Sequence, residues 1–226
     1  MAKPASKMPA RKRLPPKEAA RIAEIFRRFE AAVHDPRTEL QFASPFTLLV
    51  AVVLSAQATD KSVNKATEKL FAVADTPAKM AALGEARLTP YIASIGLYRT
   101  KAKNVIKLSQ ILEGQYGGQV PLERAALEAL PGVGRKTASV VLNELGAQAA
   151  IAVDTHVFRV AHRLKLSAAR TPQQVEGDLM AIVPPPYLSR AHHWLILHGR
   201  YVCLARRPKC ETCLIGDLCP SRELFL

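Results

Sequence analysis

The amino-acid sequence predicts an all-α protein, and three observations lead to that prediction. Apolar residues recur at helical spacing along almost the whole chain, and the breaks in this pattern coincide with glycine or proline. No segment alternates apolar and polar residues as a half-buried strand would. Aromatic residues make up only 6% of a chain that is 49% hydrophobic, so small and aliphatic side chains dominate the expected core. A chain of 226 residues can bury such a core in one large domain or two small ones.

The individual helices follow from apolar spacing and from residues that start or stop helices. Residues 18–33 place five apolar side chains on one face: Ala19, Ile22, Ile25, Phe26 and Phe29. Ser44 and Pro45 are typical of a helix start and precede an apolar helix over residues 46–56. Further helices are predicted at residues 60–72, 77–83, 87–94, 100–115, 122–130, 135–146, 153–163, 172–182 and 187–199.

The net charge indicates a polyanionic partner. The formal charge is +13, an excess for which an enzyme acting on small metabolites has little use. Residues 1–17 carry six lysine or arginine residues, four prolines and no acidic residue, which predicts a disordered basic arm. A transit peptide remains an alternative for this segment, but no apolar signal region follows it. The longest apolar run, residues 46–54, is too short for a membrane span, so we expect a soluble, cytoplasmic protein.

A glycine-rich turn between two short amphipathic helices is the first candidate site. Residues 122–130 and 135–142 are predicted helices, and Gly132 and Gly134 in the turn between them permit a tight backbone. Val133 can pack between the helices, and Arg135 begins the second one. The unsatisfied N–H groups at that helix start would bind phosphate without reading base sequence. The alternative is an ordinary hairpin of two helices.

Lys136 and Asp154 form the second candidate site. Lys136 would lie in the first turn of its helix, where the dipole disfavours positive charge. Because only an unprotonated amine is a nucleophile, that position suits a catalytic lysine. Asp154 would begin the next helix, and the two groups would share one cleft if the helices pack antiparallel. The alternative is a phosphate-binding lysine and a capping aspartate, and the spacing does not separate the two interpretations.

The third candidate site is a metal centre. All four cysteines fall within 17 residues near the C-terminus, at Cys203, Cys210, Cys213 and Cys219. Nothing in the sequence indicates secretion, so a metal site is favoured over disulfides. Four thiolates with a single CxxC pair suit either zinc or a four-iron cluster.

The chain resembles the endonuclease III family in six segments that occur in the family's order: residues 54–60, 95–98, 130–137, 151–156, 192–200 and the cysteine segment. The resemblance runs from about residue 18 to residue 220. It implies a six-helix barrel over residues 38–149, with a helix-hairpin-helix at residues 122–146. It also implies an iron–sulfur cluster domain formed by residues 18–37 and 150–226, with a DNA-binding cleft between the two domains.

The resemblance also implies a function and a role for each site residue. The protein would be a DNA N-glycosylase that removes oxidised pyrimidines and an AP lyase that cuts 3′ to the abasic site through a lysine imine. Lys136 would be the nucleophile and Asp154 its partner, while the cysteines would hold a [4Fe–4S] cluster. Gln57 would fill the gap left by the flipped nucleotide, and Leu97 would wedge the opposite strand. The partner would be double-stranded DNA with damaged pyrimidines or abasic sites, bound by a monomer associated with the nucleoid.

Two other functions are weaker. A glycosylase without lyase activity, such as an adenine-mismatch enzyme, resembles this chain in the hairpin, the aspartate and the cluster. It lacks the lysine and usually adds a C-terminal recognition domain. A non-catalytic DNA clamp would need neither Lys136 nor Asp154, and both are present.

Overall fold

The computed structural model describes residues 11–226 and confirms the all-α prediction. Over that range the chain forms ten α-helices and three short 3-10 turns. The α-helices are α1 (Pro16–Ala32), α2 (Pro45–Ser55), α3 (Asp60–Phe71), α4 (Pro77–Ile92), α5 (Tyr98–Tyr116), α6 (Arg124–Glu128), α7 (Arg135–Glu144), α8 (Thr155–Arg163), α9 (Pro172–Ile182) and α10 (Leu188–Tyr201). No helix among them has the length and apolarity to cross a membrane.

The helices divide into two compact units. One unit covers residues 38–147 and holds α2 to α7, and the other covers residues 11–37 and 148–226 and holds α1 and α8 to α10. The second unit is therefore discontinuous in sequence, with its first helix separated from the others by the entire first unit. Each unit has its own apolar core.

The first unit is organised around α2. Every residue from Phe46 to Leu54 is buried, so this helix is apolar on all sides, and it packs against α3, α5 and α7. Ser44 caps its start: the Ser44 hydroxyl accepts from the Thr47 N–H at 3.2 Å, and the Ser44 N–H donates to Thr47 Oγ1 at 2.8 Å. This reciprocal pair satisfies donors that a helix start otherwise leaves free. The central helix is thus fixed in register at its first turn.

The second unit is held together by contacts between α1 and the C-terminal residues. Ile22, Ile25, Phe26 and Phe29 of α1 are buried, whereas Ala19, predicted on the same face, is exposed in the first turn. Beyond the core, Arg28 donates to both carboxylate oxygens of Asp217 at 2.6 and 2.9 Å. Further bonds join α1 to the rest of the unit: Arg21 donates to the carbonyls of Leu164 and Leu218, and Trp194 donates to Val33 O at 2.8 Å.

Most predicted boundaries agree with the structure to within two residues, and three differences are informative. The helices expected at residues 77–83 and 87–94 form one element, α4, with a break in helical geometry at Gly84, where φ is 74°. The helix expected at 122–130 is limited to Arg124–Glu128. The predicted arm, residues 1–17, ends earlier than expected because α1 already begins at Pro16, and proline is pre-organised for the first helical position.

Part of that predicted arm is bound to the second unit. The Lys12 N–H donates to Ala181 O at 3.2 Å, and the Arg11 guanidinium donates to Val183 O at 3.1 Å. Both acceptors lie at the C-terminal end of α9, where the last carbonyls of a helix lack intrahelical partners. The prediction of disorder therefore fails for these residues, and residues 1–10 lie outside the described range.

Gly199 allows α8 and α10 to approach closely. A Cβ built on Gly199 would lie 2.9 Å from His156 Cβ and 3.2 Å from the His156 carbonyl oxygen, both parts of α8 that a rotamer change cannot move. Gly177 in α9 has no atom within 4 Å of its built Cβ.

We therefore expect Gly199→Ala to lower the free energy of unfolding by about 1–3 kcal/mol, the usual cost of overpacking. Gly177→Ala is the matched control, because alanine in an open helical position is favourable by about 0.5–1 kcal/mol. Urea denaturation of both variants compares the two effects. Equal stability of the two variants would contradict the close crossing.

Candidate DNA-binding and catalytic site and metal centre

The hairpin turn contains two glycines with different structural demands. Gly132 has φ of +80°, and a Cβ there would meet Asn104 side-chain atoms at 3.0 and 3.1 Å, so the fold requires glycine. Gly134 has φ of −90°, and its built Cβ would meet nothing within 4 Å. Val133 between them is buried and donates its N–H to Leu130 O at 3.0 Å. Nothing in the fold requires glycine at position 134. Close approach of a ligand to the backbone would require it, because glycine has no side chain.

The start of α7 has no side-chain cap. Gly134 is its N-cap residue and supplies no side-chain acceptor, whereas α2, α3, α4, α8 and α9 each begin at a serine, threonine or aspartate that accepts from their first turn. Arg135 and Lys136, the first two residues of α7, are exposed. An uncapped helix start, the positive end of the helix dipole and two basic side chains therefore coincide, which is an arrangement suited to phosphate.

Asp154 is the N-cap residue of α8. Its Oδ1 accepts from the N–H of His156 at 2.9 Å and from the N–H of Val157 at 2.8 Å. Both bonds fall on one carboxylate oxygen, so they fix the orientation of the group at the helix start. Asp154 belongs to the unit formed by residues 11–37 and 148–226, and Lys136 to the unit of residues 38–147. Their predicted partnership stays a prediction.

Gln57 and Leu97 lie in adjacent turns of the first unit, and both have left-handed backbones. Their φ angles are 55° and 60°, an uncommon conformation for residues other than glycine. Gln57 is exposed, and Leu97 is 60% exposed despite its apolar side chain. A Cβ built on Gly96 would lie 3.7 Å from Gln57 O, so the two turns are neighbours. The structure thus brings together the two residues predicted to enter the duplex.

Lys101 was missed by sequence reasoning and supports these two turns. Its backbone N–H donates to Leu97 O at 3.1 Å, and its Nζ donates to Leu54 O at 2.9 Å in the last turn of α2, just before Gln57. The side chain is 5% exposed, and this burial lowers the pKa of the Lys101 amine from its usual 10.5. Lys101 falls on the same helical face as Val105, Leu108 and Leu112. Its position in this apolar pattern could have indicated from the sequence that Lys101 is buried.

The four cysteines line one pocket in the second unit. The pocket walls also include Arg163 from α8 and His198 from α10. Burial raises the pKa of the Cys210 and Cys213 thiols, and their negatively charged cysteine neighbours raise it further. Four mutually repelling thiolates need a polycationic centre, and binding one would release their protons. The donor set therefore fits a metal centre.

The four cysteines line a common space, so their thiols can bind one metal centre together. Four thiolates are a ligand set for a four-iron cluster or for zinc.

Two further residues, both missed as site residues, surround the sulfurs. Arg163 donates to Cys203 Sγ at 3.4 Å and to the Leu204 carbonyl at 2.6 Å. His198 Nε2 lies 3.8 Å from Cys213 Sγ, and burial lowers the pKa of His198 to about 4, which keeps the ring neutral near pH 7. The Arg163 guanidinium donates a hydrogen bond to sulfur and offsets negative charge, while the neutral His198 ring lies beside a second sulfur.

Comparison with known proteins agrees with this arrangement. Residues 50–185 match the family model described as HhH-GPD superfamily base excision DNA repair protein, and residues 203–219 match the iron-sulfur binding domain of endonuclease III. The chain is 55% identical over 204 residues to endonuclease III of Escherichia coli (strain K12), a match that covers 90% of this chain and 97% of that protein. This chain belongs to the endonuclease III family.

Other relatives extend the comparison. Endonuclease III of Treponema pallidum (strain Nichols) is 56% identical over 203 residues, covering 90% of this chain and 96% of that protein. A structure of a non-covalent endonuclease III–DNA complex matches with a TM-score of 0.85 and 43% identity, covering 91% of this chain and 97% of that one. A trapped endonuclease III–DNA covalent intermediate matches with a TM-score of 0.84 and 42% identity, covering 93% and 99%.

Family membership confirms the enzyme class and the cofactor. The protein is a base excision repair enzyme, a DNA glycosylase and AP lyase, and its C-terminal cysteines form the family's iron–sulfur segment. Cys203, Cys210, Cys213 and Cys219 are the thiols available in that segment for a [4Fe–4S] cluster. Zinc, left open by the cysteine spacing, is therefore excluded as the resident metal.

We expect anaerobically purified protein to be brown and to contain about four irons per chain. Cys213→Ser should lose iron and unfold at lower denaturant concentration, because binding of the cluster is coupled to folding. Thr212→Ala is the control, since Thr212 is exposed in the same loop. Metal analysis and a denaturation curve on the three proteins check this, and stoichiometric zinc without iron would disprove it.

Proposed function

We propose that this enzyme removes oxidised pyrimidines from double-stranded DNA and then cuts the strand 3′ to the abasic site through a Lys136 imine. The observation that carries the proposal is the exposed Lys136 at an uncapped helix start, beside the open Gly134 backbone. The resemblance to a trapped endonuclease III–DNA covalent intermediate supports a covalent nucleophile.

The first part of the proposed reaction is base removal. A damaged pyrimidine stacks and pairs poorly, so flipping it out of the duplex costs less than flipping a normal base. We propose that Gln57 then fills the gap and that Leu97 wedges the opposite strand, since both are exposed on neighbouring turns that are held in strained conformations. The N–H groups at the start of α7, together with Gly132, Val133, Gly134 and Arg135, would bind backbone phosphate and fix the register.

Lys136 and Asp154 divide the chemistry in this proposal. The unprotonated Lys136 Nζ attacks C1′ of the sugar, the C1′–N bond to the base breaks, and ring opening leaves a protonated imine. The imine acidifies the 2′ proton, and its loss expels the 3′ phosphate by β-elimination. The Asp154 carboxylate would accept the amine proton and stabilise the positive charge that develops on the sugar.

The same proposal covers organisation and location. The six-helix barrel and the cluster domain would both bind DNA, as a monomer, in the cytoplasm and on the nucleoid. Charge supports it, because a formal net charge of +13 favours a polyanionic partner.

The first test replaces the proposed nucleophile. Lys136→Gln should keep tight binding to damaged duplex yet lose base release and borohydride trapping at every DNA concentration. Lys103→Gln is the control, because Lys103 is also an exposed helical lysine in the first unit and undergoes the same charge change. If Lys136 only contacts phosphate, the variant loses about 1–3 kcal/mol of affinity and saturating DNA restores turnover. Wild-type trapping by Lys136→Gln would move the nucleophile elsewhere.

The second test removes the negative charge of Asp154. Asp154→Asn keeps an oxygen that can accept from the His156 and Val157 N–H groups, so the start of α8 should be preserved. We expect base excision to slow by orders of magnitude, since one charged group acting on a transition state contributes several kcal/mol. Elimination at a preformed abasic site should be impaired less, because the base has already left. Equal loss in both steps, measured by single-turnover kinetics, would refute this role.

A further inference from the structure

A basic surface groove lies between α3 and α4, away from the hairpin turn. It encloses about 430 Å³ and is lined by Ser62, Lys65, Ala66, Lys69, Pro90, Tyr91 and Ser94. Ala66 is buried at the base of α3, and Tyr91 packs against the core of the first unit, so the groove has a fixed floor. None of the residues that line it is acidic.

Lys65 and Lys69 give this groove its charge. They are four residues apart on α3, and therefore on the same helical face, and both are exposed. Neither lysine forms an ion pair with any carboxylate between residues 11 and 226. By contrast, Lys79 in α4 binds Asp75 at 2.8 Å. The groove thus presents two uncompensated ammonium groups beside Tyr91 and Ser94, whereas the Ser62 hydroxyl donates to Thr59 O at 2.8 Å.

The position of the groove relates it to the Leu97 turn. Ser94 lies just beyond the end of α4, and the chain continues directly through Ile95 and Gly96 to Leu97. On the other side, Ser62 lies in the first turn of α3, which follows the Gln57 turn. The groove therefore lies within a few residues, along the chain, of both turns that carry the exposed residues.

We propose that this groove binds two phosphates of the DNA strand that Leu97 contacts, the strand opposite the damaged nucleotide. The identity of the strand rests on the proposed function, in which Leu97 wedges the strand opposite the damaged nucleotide. Lysine is a flexible point charge suited to phosphate, and hydroxyls complete the oxygen contacts without reading bases. The open groove, without a buried charged group, suits a continuous backbone rather than an enclosed small anion.

The test measures how binding depends on salt. Wild type, Lys65→Ala/Lys69→Ala and Lys103→Ala/Lys107→Ala are compared on a duplex with a tetrahydrofuran abasic analogue, which lacks the aldehyde needed for an imine. The control pair removes the same charge at the same helical spacing from exposed positions on α5. We expect the slope of log K against log salt to become shallower by about 0.9 per lost phosphate contact, or about 1.8, in the groove variant.

A second measurement identifies the phosphates. Methylphosphonate linkages neutralise single phosphates along each strand of the duplex. Neutralising two phosphates of the opposite strand should abolish the affinity difference between wild type and the groove variant, and it should leave the difference between wild type and the control variant unchanged.

The proposal is wrong if the groove variant has the same salt slope as the wild type. It is also wrong if both variants change the slope equally and no methylphosphonate removes the affinity difference, or if only methylphosphonates in the damaged strand remove it. Because the ligand cannot react, binding is judged separately from the proposed function. Failure of the wild type to release oxidised pyrimidines would refute that function and leave the salt-slope result standing.

Discussion

The burial of α2 is the constraint on which the first unit depends. Nine consecutive residues of this helix are buried, because α3, α5 and α7 all pack against it. The same contacts remove the apolar faces of these three helices from water. Its C-terminal end leads into the Gln57 turn, and Val53 in the same helix packs beside Gly132 of the hairpin. Packing around one apolar helix therefore positions both the turn residues and the hairpin for which we propose phosphate binding.

Two helix starts show how the protein uses the same unsatisfied N–H groups in different ways. At α8 these groups are occupied by the Asp154 carboxylate, which they hold in one orientation. At α7 the N-cap is Gly134, which has no side chain to compete with an external phosphate. One helix start is capped by a side chain of the protein, whereas no side chain caps the other.

Much of the fold and part of the candidate site could be predicted from the sequence. The periodic apolar faces, the Ser44 cap and the break at Gly84 are local signals, and local signals specify helices well. Lys101 and Arg163 depend instead on which helices meet in three dimensions: each donates to a carbonyl more than 40 residues away. The hydrogen bonds from Arg11 and Lys12 to the end of α9 could not be predicted either, because the composition of that segment is typical of disorder.

The route of the chain through the second unit has a consequence for synthesis. During translation α1 is synthesised before residues 38–147, but Asp217 and Trp194, which bind Arg28 and Val33, are synthesised after them. The residues in between, 38–147, contain all their own core partners and can close that core while the C-terminal residues are still being added. The four apolar side chains that α1 buries therefore lack their core partners until the chain has been synthesised well beyond residue 147.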